Sequence, residues 1–254
     1  MSIYKNAIRD ARIREYLPVH RVMLAEQAQG AEILPDNPAL QPSISGTERI
    51  CVLQPGGALL LDFGVELHGG VRIVNRSGAG RIRLRFGESA SEAMGAPNQD
   101  HAIHDTELQV PAMGMLEYGN TAFRFVRIDA LDAKLELMNV LAVALYRDLK
   151  RGGSFRCSDE RLNRIWETGA YTLLLNMQDY IYDGAKRDRL VWMGDLHPEI
   201  CGILSVFDDV SLIPASLDFV RDHTPLPRVM NNITSYSLWW IVNQYEYYLH
   251  RGDL

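Results

Sequence analysis

From residue 46 to 149 the apolar positions fall in short runs or strict alternation. Ile50–Leu53, Ala58–Phe63, Gly70–Val74, Arg81–Phe86, Thr121–Asp129 and Leu135–Leu145 each suit one β-strand. Arg81–Phe86 reads Arg-Ile-Arg-Leu-Arg-Phe, a period of two with one apolar and one cationic face, and Phe123–Ile128 comes close to the same alternation. Pro55-Gly56-Gly57, Gly69-Gly70 and the stretch from Asn75 to Gly80 place turn signals between them. Many short, punctuated strands predict an antiparallel β-sandwich of about 100 residues. Glu88–Gln109 has no clear period and reads as a long loop. Residues 1–45, with Pro35, Pro38 and Pro42 close together, read as a lead-in.

The period changes after residue 150. Ser158 is a fair N-cap, and Asp159 and Glu160 sit in a first turn where the helix dipole favours acids. Leu162, Ile165, Trp166, Leu173 and Met177 recur at helical spacing and predict a helix over 159–179. A second helix is expected over about 196–207, with Asp195 as its cap and Pro198 in the first turn. Ala215–Asp222 and an aromatic stretch, Ser235–His250, complete the helical part. Strands followed by helices divide the chain into a lead-in (1–45), a sandwich domain (46–150) and a helical domain (151–254). The last helix carries Trp239, Trp240, Ile241, Tyr245, Tyr247, Tyr248 and Leu249, more apolar surface than so small a bundle buries. The helical part therefore reads as a fragment, or as a protomer completed by another chain.

Composition narrows the function classes. The chain has 254 residues, 47% apolar and 23% charged, which suits a folded globular protein. Its net charge of −6 gives no basic footprint for a phosphate backbone, so nucleic acid is not an expected partner. Three scattered cysteines, Cys51, Cys157 and Cys201, fit neither a disulfide framework nor a zinc site, and each is expected to be a small buried hydrophobe. The N-terminus shows no apolar leader segment, and no run reaches the roughly 20 apolar residues of a membrane span. A cytoplasmic protein acting on a neutral polar substrate, with no membrane partner, is the expectation.

Chemistry concentrates between residues 179 and 199. Asp179, Asp183, Asp188, Asp195 and Glu199 are interleaved with Lys186, Arg187 and Arg189, beside Tyr180, Tyr182 and Trp192. Carboxylates accept hydrogen bonds from vicinal hydroxyls, and an aromatic face packs on the apolar face of a pyranose. A carboxylic acid kept protonated by neighbouring carboxylates can protonate a glycosidic oxygen. The same residues also suit a solvated loop, with Asp195 as a cap and Arg187 paired to Asp183.

The order of residues resembles the signature of the α-L-rhamnosidases of glycoside hydrolase family 78, Asp-Cys-Pro-x-Arg-Glu-x-x-Gly-Trp-x-Gly-Asp. Asp183, Arg187, Trp192, Gly194 and Asp195 match it in identity and spacing. Softer likenesses run through Leu60–Glu66, Gly69-Gly70, Arg83–Glu88, Phe123–Ile128, Gly153–Phe155, Ser158-Asp159 and Trp239–Leu249. The resemblance implies a β-sandwich followed by the start of an (α/α)6 six-hairpin barrel, and inverting hydrolysis of terminal α-L-rhamnosides without a cofactor. It also implies that Asp183 and Asp195 bind sugar hydroxyls, that Arg187 steadies the loop and that Trp192 forms a wall. Asp188 occupies the position of the family's general-acid Glu, one methylene shorter. Glu199 is a further sugar-site candidate and the alternative acid. Gly184-Ala185 replaces Cys-Pro, and Val191 replaces the Gly before the Trp. The family's catalytic base comes from a later hairpin, and no residue here corresponds to it.

Other features point less far. His101 and His104 with Asp100 and Asp105 invite a metal reading, but i,i+3 spacing in an aperiodic stretch is a weak signal. His197 suits either the sugar site or a packing role. Asp62, Glu66 and His68 lie on the sandwich, where carbohydrate binding would rest on analogy alone. Two further function classes stay open: a non-catalytic carbohydrate-binding module, and an assembly subunit docking through its last helix.

Overall fold

The computed structural model describes residues 5–46, 49–96 and 104–252. The chain forms two compact units, Arg14–Leu145 and a helical unit of Tyr146–Leu254 joined by Met1–Ile13. Seven strands build the first: β1 (Ile13–Pro18), β2 (Arg21–Gln29), β3 (Cys51–Ser77), β4 (Gly80–Gly87), β5 (Asp105–Val110), β6 (Gly114–Ala130) and β7 (Leu135–Tyr146). Their order is β1-β7-β3-β6-β4-β5, with β2 also paired to β3. The β2–β3, β3–β6, β3–β7, β4–β5 and β4–β6 ladders are all antiparallel. Leu59, Leu61, Ile73, Ile82, Leu84, Phe123 and Ile128 are fully buried in one apolar core.

Three differences from the sequence reading have physical causes. The lead-in contains β1 and β2; its prolines at 35, 38 and 42 follow the strands and do not interrupt them. Ile50–Leu53 (from Cys51 on), Ala58–Phe63 and Gly70–Val74 are parts of one 27-residue strand, β3. Its glycines mark shifts of register, not hairpin turns: the β3–β6 ladder breaks between Asp62 and Leu67, around Gly64 at φ 86°, and again between Gly69 and Val71. Glycine at positive φ serves a bulge as well as a turn.

The third difference lies in the stretch read as a loop, Glu88–Gln109. Its described residues hold a short helix, α1 (Ala90–Met94), and most of β5. Strand β5 has few apolar residues, and charge ties it to β4. Asp105 accepts from Arg83 at 2.6 Å and from Arg85 at 2.8 Å, and Arg81 reaches Glu107 at 3.0 Å. Asp105 is thus taken by two arginines, while Asp100 and His101 of the metal reading lie outside the described residues. Asp62 is fully buried and grips Arg124 through both carboxylate oxygens, at 2.8 and 3.0 Å, a structural pairing. Those bonds hold its carboxyl down to about 2 against the cost of burial.

The second unit contains α2 (Glu160–Asn176), α3 (Leu196–Val206), α4 (Leu212–Asp222) and α5 (Thr234–Arg251). Asp159, not Ser158, caps α2, accepting from the Arg161 amide at 2.8 Å. The helix ends at Asn176 because Met177 leaves helical backbone and bridges to Ile181. Ile181, Met193, Leu196, Ile200, Ile203, Ile213 and Leu217 form its fully buried centre. On α5, Leu238, Ile241, Tyr245 and Leu249 are exposed along one stripe. Cys51 is buried as expected, whereas Cys157 and Cys201 are only half-buried; all three are free thiols. Among the described residues no helix is long and apolar enough to cross a membrane.

Candidate active site

The loop between α2 and α3 is closed on itself. The Asp183 amide donates to the Leu190 carbonyl at 3.0 Å, and the Leu190 amide donates back to Asp183 Oδ1 at 3.1 Å. Residues 191–193 are then stapled from a distance. Asn231 accepts from the Met193 amide at 3.0 Å and donates to the Val191 carbonyl at 3.1 Å, and Asn243 donates to the Met193 carbonyl at 3.2 Å. Asn231 holds φ 53°, the left-handed region that asparagine tolerates best after glycine. Trp192 is thereby fixed between two anchored neighbours.

These constraints bring Asp183, Arg187, Asp188, Trp192 and Asp195 to one cavity of about 330 Å³, completed by Ile233 and Tyr236. The Trp192 indole Nε1 donates to Asp188 Oδ2 at 3.1 Å, and Arg187 Nε lies 3.4 Å from Asp188 Oδ1. Arg187 therefore pairs with Asp188, not with Asp183. Trp192 meets the Tyr236 ring edge-on, at 6.1 Å and 87°. Asp195 makes no side-chain cap to α3; its Oδ2 accepts from the Tyr236 hydroxyl at 2.7 Å. That bond raises the Tyr236 phenol above its ordinary value. A Cβ on Gly194 would collide with the Tyr236 ring, so glycine at this position admits the tyrosine to the wall.

Electrostatically the cavity is a cluster of acids with one exposed cation, Arg187. Burial, together with the charges of Asp188 and Asp195, pushes the Asp183 carboxyl above its ordinary value. Glu199 is not among the lining residues. It is one turn into α3, with Oε1 accepting from Asn176 Nδ2 at 2.7 Å and Oε2 buried without a partner among the described residues. Burial raises it to about 8; the Asn176 bond opposes that rise, and the charges of Asp183 and Asp195 add to it. Glu199 therefore carries a proton at neutral pH, behind the wall that its aspartate neighbours line. His197 stacks on Trp239 at 4.8 Å and bonds Asn243 at 3.1 Å, and it is not part of the lining. Sequence reasoning did not single out Tyr236, Ile233 or the staple Asn231, which come from the chain 40 residues on.

This arrangement gathers three carboxylates, a guanidinium and two aromatic rings around one cavity, with Glu199 outside its lining. A family model, the bacterial alpha-L-rhamnosidase six-hairpin glycosidase domain, matches residues 150–248. The chain resembles the α-L-rhamnosidases of glycoside hydrolase family 78. A curated alpha-L-rhamnosidase of Formosa agariphila is 29% identical over 75 residues, covering 30% of this chain and 8% of that protein. Among solved structures, a rhamnosidase from Klebsiella oxytoca with rhamnose bound aligns with a TM-score of 0.74 and 20% identity. The alignment covers 96% of this chain and 54% of that one. A family 78 rhamnosidase of Bacillus sp. GL1 aligns with a TM-score of 0.63 and 23% identity, over 81% of this chain and 23% of that one. The chain thus spans about half the length of the Klebsiella relative and far less of the others. At these identities the solved structures show a shared fold, an antiparallel β unit with helices.

Proposed function

We propose that the β unit, Arg14–Leu145 with the two strands of the lead-in included, is a β-sandwich, that the helices after residue 150 are the first part of an (α/α)6 barrel, and that the chain serves the inverting hydrolysis of terminal α-L-rhamnosides. One observation carries this reading: a single cavity of about 330 Å³ gathers Asp183, Arg187, Asp188, Trp192 and Asp195. Asp183 and Asp195 accept hydrogen bonds from the sugar hydroxyls, and Trp192 packs on the apolar ring face. Asp188 gives a proton to the glycosidic oxygen as that bond breaks and is left as the carboxylate, the form that the Trp192 N–H and Arg187 stabilise. Charge then develops on the ring carbon and oxygen, and the acidic wall stabilises this oxocarbenium-like state. Water attacks the opposite face, and its proton passes to a base from a later hairpin of the barrel. Glu199 holds its proton behind the wall and keeps a further negative charge out of an already acidic site. The reaction needs no cofactor.

The test is hydrolysis of an aryl α-L-rhamnoside by the purified chain, with Asp188→Asn as control. Turnover that disappears in the variant supports Asp188 as acid and requires a base within these residues or from a second copy. Saturable rhamnose binding without turnover places this chain as the sugar-binding part of the enzyme. Turnover unchanged in the variant overturns the assignment of Asp188.

A further inference from the structure

A second cavity, of about 370 Å³, shares Trp192 with the acidic one. The two also divide one short run of chain: Asn231 and Asn232 face the second cavity and Ile233 the first. The indole N–H that reaches Asp188 therefore belongs to the partition between them. The two cavities are therefore neighbours across Trp192 and the run Asn231–Ile233.

The two chambers have opposite electrostatic character. The first is lined by three aspartates and one arginine. Among the described residues no carboxylate lines the second, in a chain of net charge −6; its wall is apolar, from Leu190, Val191, Phe219 and Val229, and its polar groups include Arg228, His223 and Asn232. Arg228 is exposed and has no ion-pair partner among the described residues. The nearby acids of α4 are already engaged, since Arg221 pairs with Asp218 at 2.6 Å and with Asp222 at 2.8 Å. His223 is braced for a fixed orientation: its Nδ1 lies 2.8 Å from the Phe219 carbonyl and its ring is tilted on Phe219 at 4.4 Å. A chamber with an apolar floor, a fixed imidazole and an unpaired guanidinium suits a ring that carries a carboxylate.

Resting on the glycosidase reading above, we propose that this chamber receives the leaving group and selects one bearing a carboxylate, a uronic acid residue. Arg228 supplies the charge recognition, and Phe219 and Trp192 supply the apolar contact. The division of charge keeps the anionic ring away from the aspartates that hold the neutral sugar.

The experiment is calorimetric titration of the full chain at low salt with three probes: L-rhamnose, an α-L-rhamnosyl-glucuronate and the matching α-L-rhamnosyl-glucose. The uronate disaccharide is expected to bind about 5-fold tighter than the neutral one, with the preference shrinking as salt is added. In Arg228→Gln, a surface change that spares the core, the ratio is expected to fall to about one. Equal binding of the two disaccharides by the wild type, or a preference that survives in the variant, overturns the inference. If rhamnose binds while the disaccharides do not differ, the sugar site stands and only the leaving-group chamber is lost. If rhamnose fails to bind the folded chain, the glycosidase reading fails and this inference falls with it.

Discussion

Glu199 gives the molecule a pH dependence that can be worked out in sign and size. Its carboxyl is raised from 4.5 to about 8 by burial, so the folded chain holds a proton that the unfolded chain releases. The stability tied to that proton is fully present below about 4.5 and is lost as pH rises through about 8. At about 1.4 kcal/mol per pH unit, the loss between about pH 5 and pH 9 is roughly 3–4 kcal/mol. Glu199→Gln keeps the side chain's shape and the acceptor for Asn176 Nδ2 while removing the titration. The variant is expected to match the wild type within about 1 kcal/mol near pH 5 and to exceed it by most of the calculated loss near pH 9. Denaturant unfolding followed by tryptophan fluorescence is the assay, because Trp166, Trp192, Trp239 and Trp240 all lie in the helical unit. Parallel pH–stability curves for the two proteins would refute the reasoning, since a titrating Glu199 requires them to diverge.

Asp62→Asn removes the charge that two arginines and the Gly64 amide bind in the buried strand β3, and is expected to cost about 2–3 kcal/mol in denaturant melts followed by circular dichroism. Because the native carboxyl is held at about 2, its contribution is present above 3.8 and lost as pH falls through about 2. Acid melts of the wild type should show that loss, and the variant should not. Gly194→Ala drives a methyl group into the Tyr236 ring and dislodges its hydroxyl from Asp195. A cost of about 1–3 kcal/mol is expected, together with weakened sugar binding. An unchanged melting temperature would show that the ring does not pack there.

What could be read from the sequence follows the reach of each physical signal. The helices stood out because a 3.6-residue period is local, while both expected caps missed, Asp159 capping α2 in place of Ser158 and Asp195 turning to Tyr236; α2 also stops three residues early where Met177 turns to pair with Ile181, a contact no local rule reports. Strands with one apolar face, such as Arg81–Phe86, were equally visible. Strand β5 was not, because arginines across the ladder hold it and apolar alternation plays little part. Glycines at 56–57 and 69–70 were ambiguous in kind, since turns and bulges call for the same residue. At the cavity, the residues from Asp183 to Asp195 sit on one stapled loop; composition left them open to a solvated loop as well, and the resemblance to the family 78 signature singled them out. Glu199 lies beyond the wall because one turn of α3 carries it toward Asn176. Tyr236 reaches the site only through the tertiary fold, and its one trace in the sequence is the bare Gly194 that makes room for it.

The measurement closest to the central claim is titration of L-rhamnose against the folded chain, with Asp195→Asn and D-glucose as controls. Saturable binding of rhamnose, at least about 10-fold weaker in the variant and weaker still for glucose, is the predicted result. The variant's loss follows from removing a charged acceptor that faces the cavity and already bonds Tyr236 at 2.7 Å. Rhamnose that does not bind, or that binds equally well after Asp195→Asn, would contradict the assignment of this acidic cavity as the sugar site.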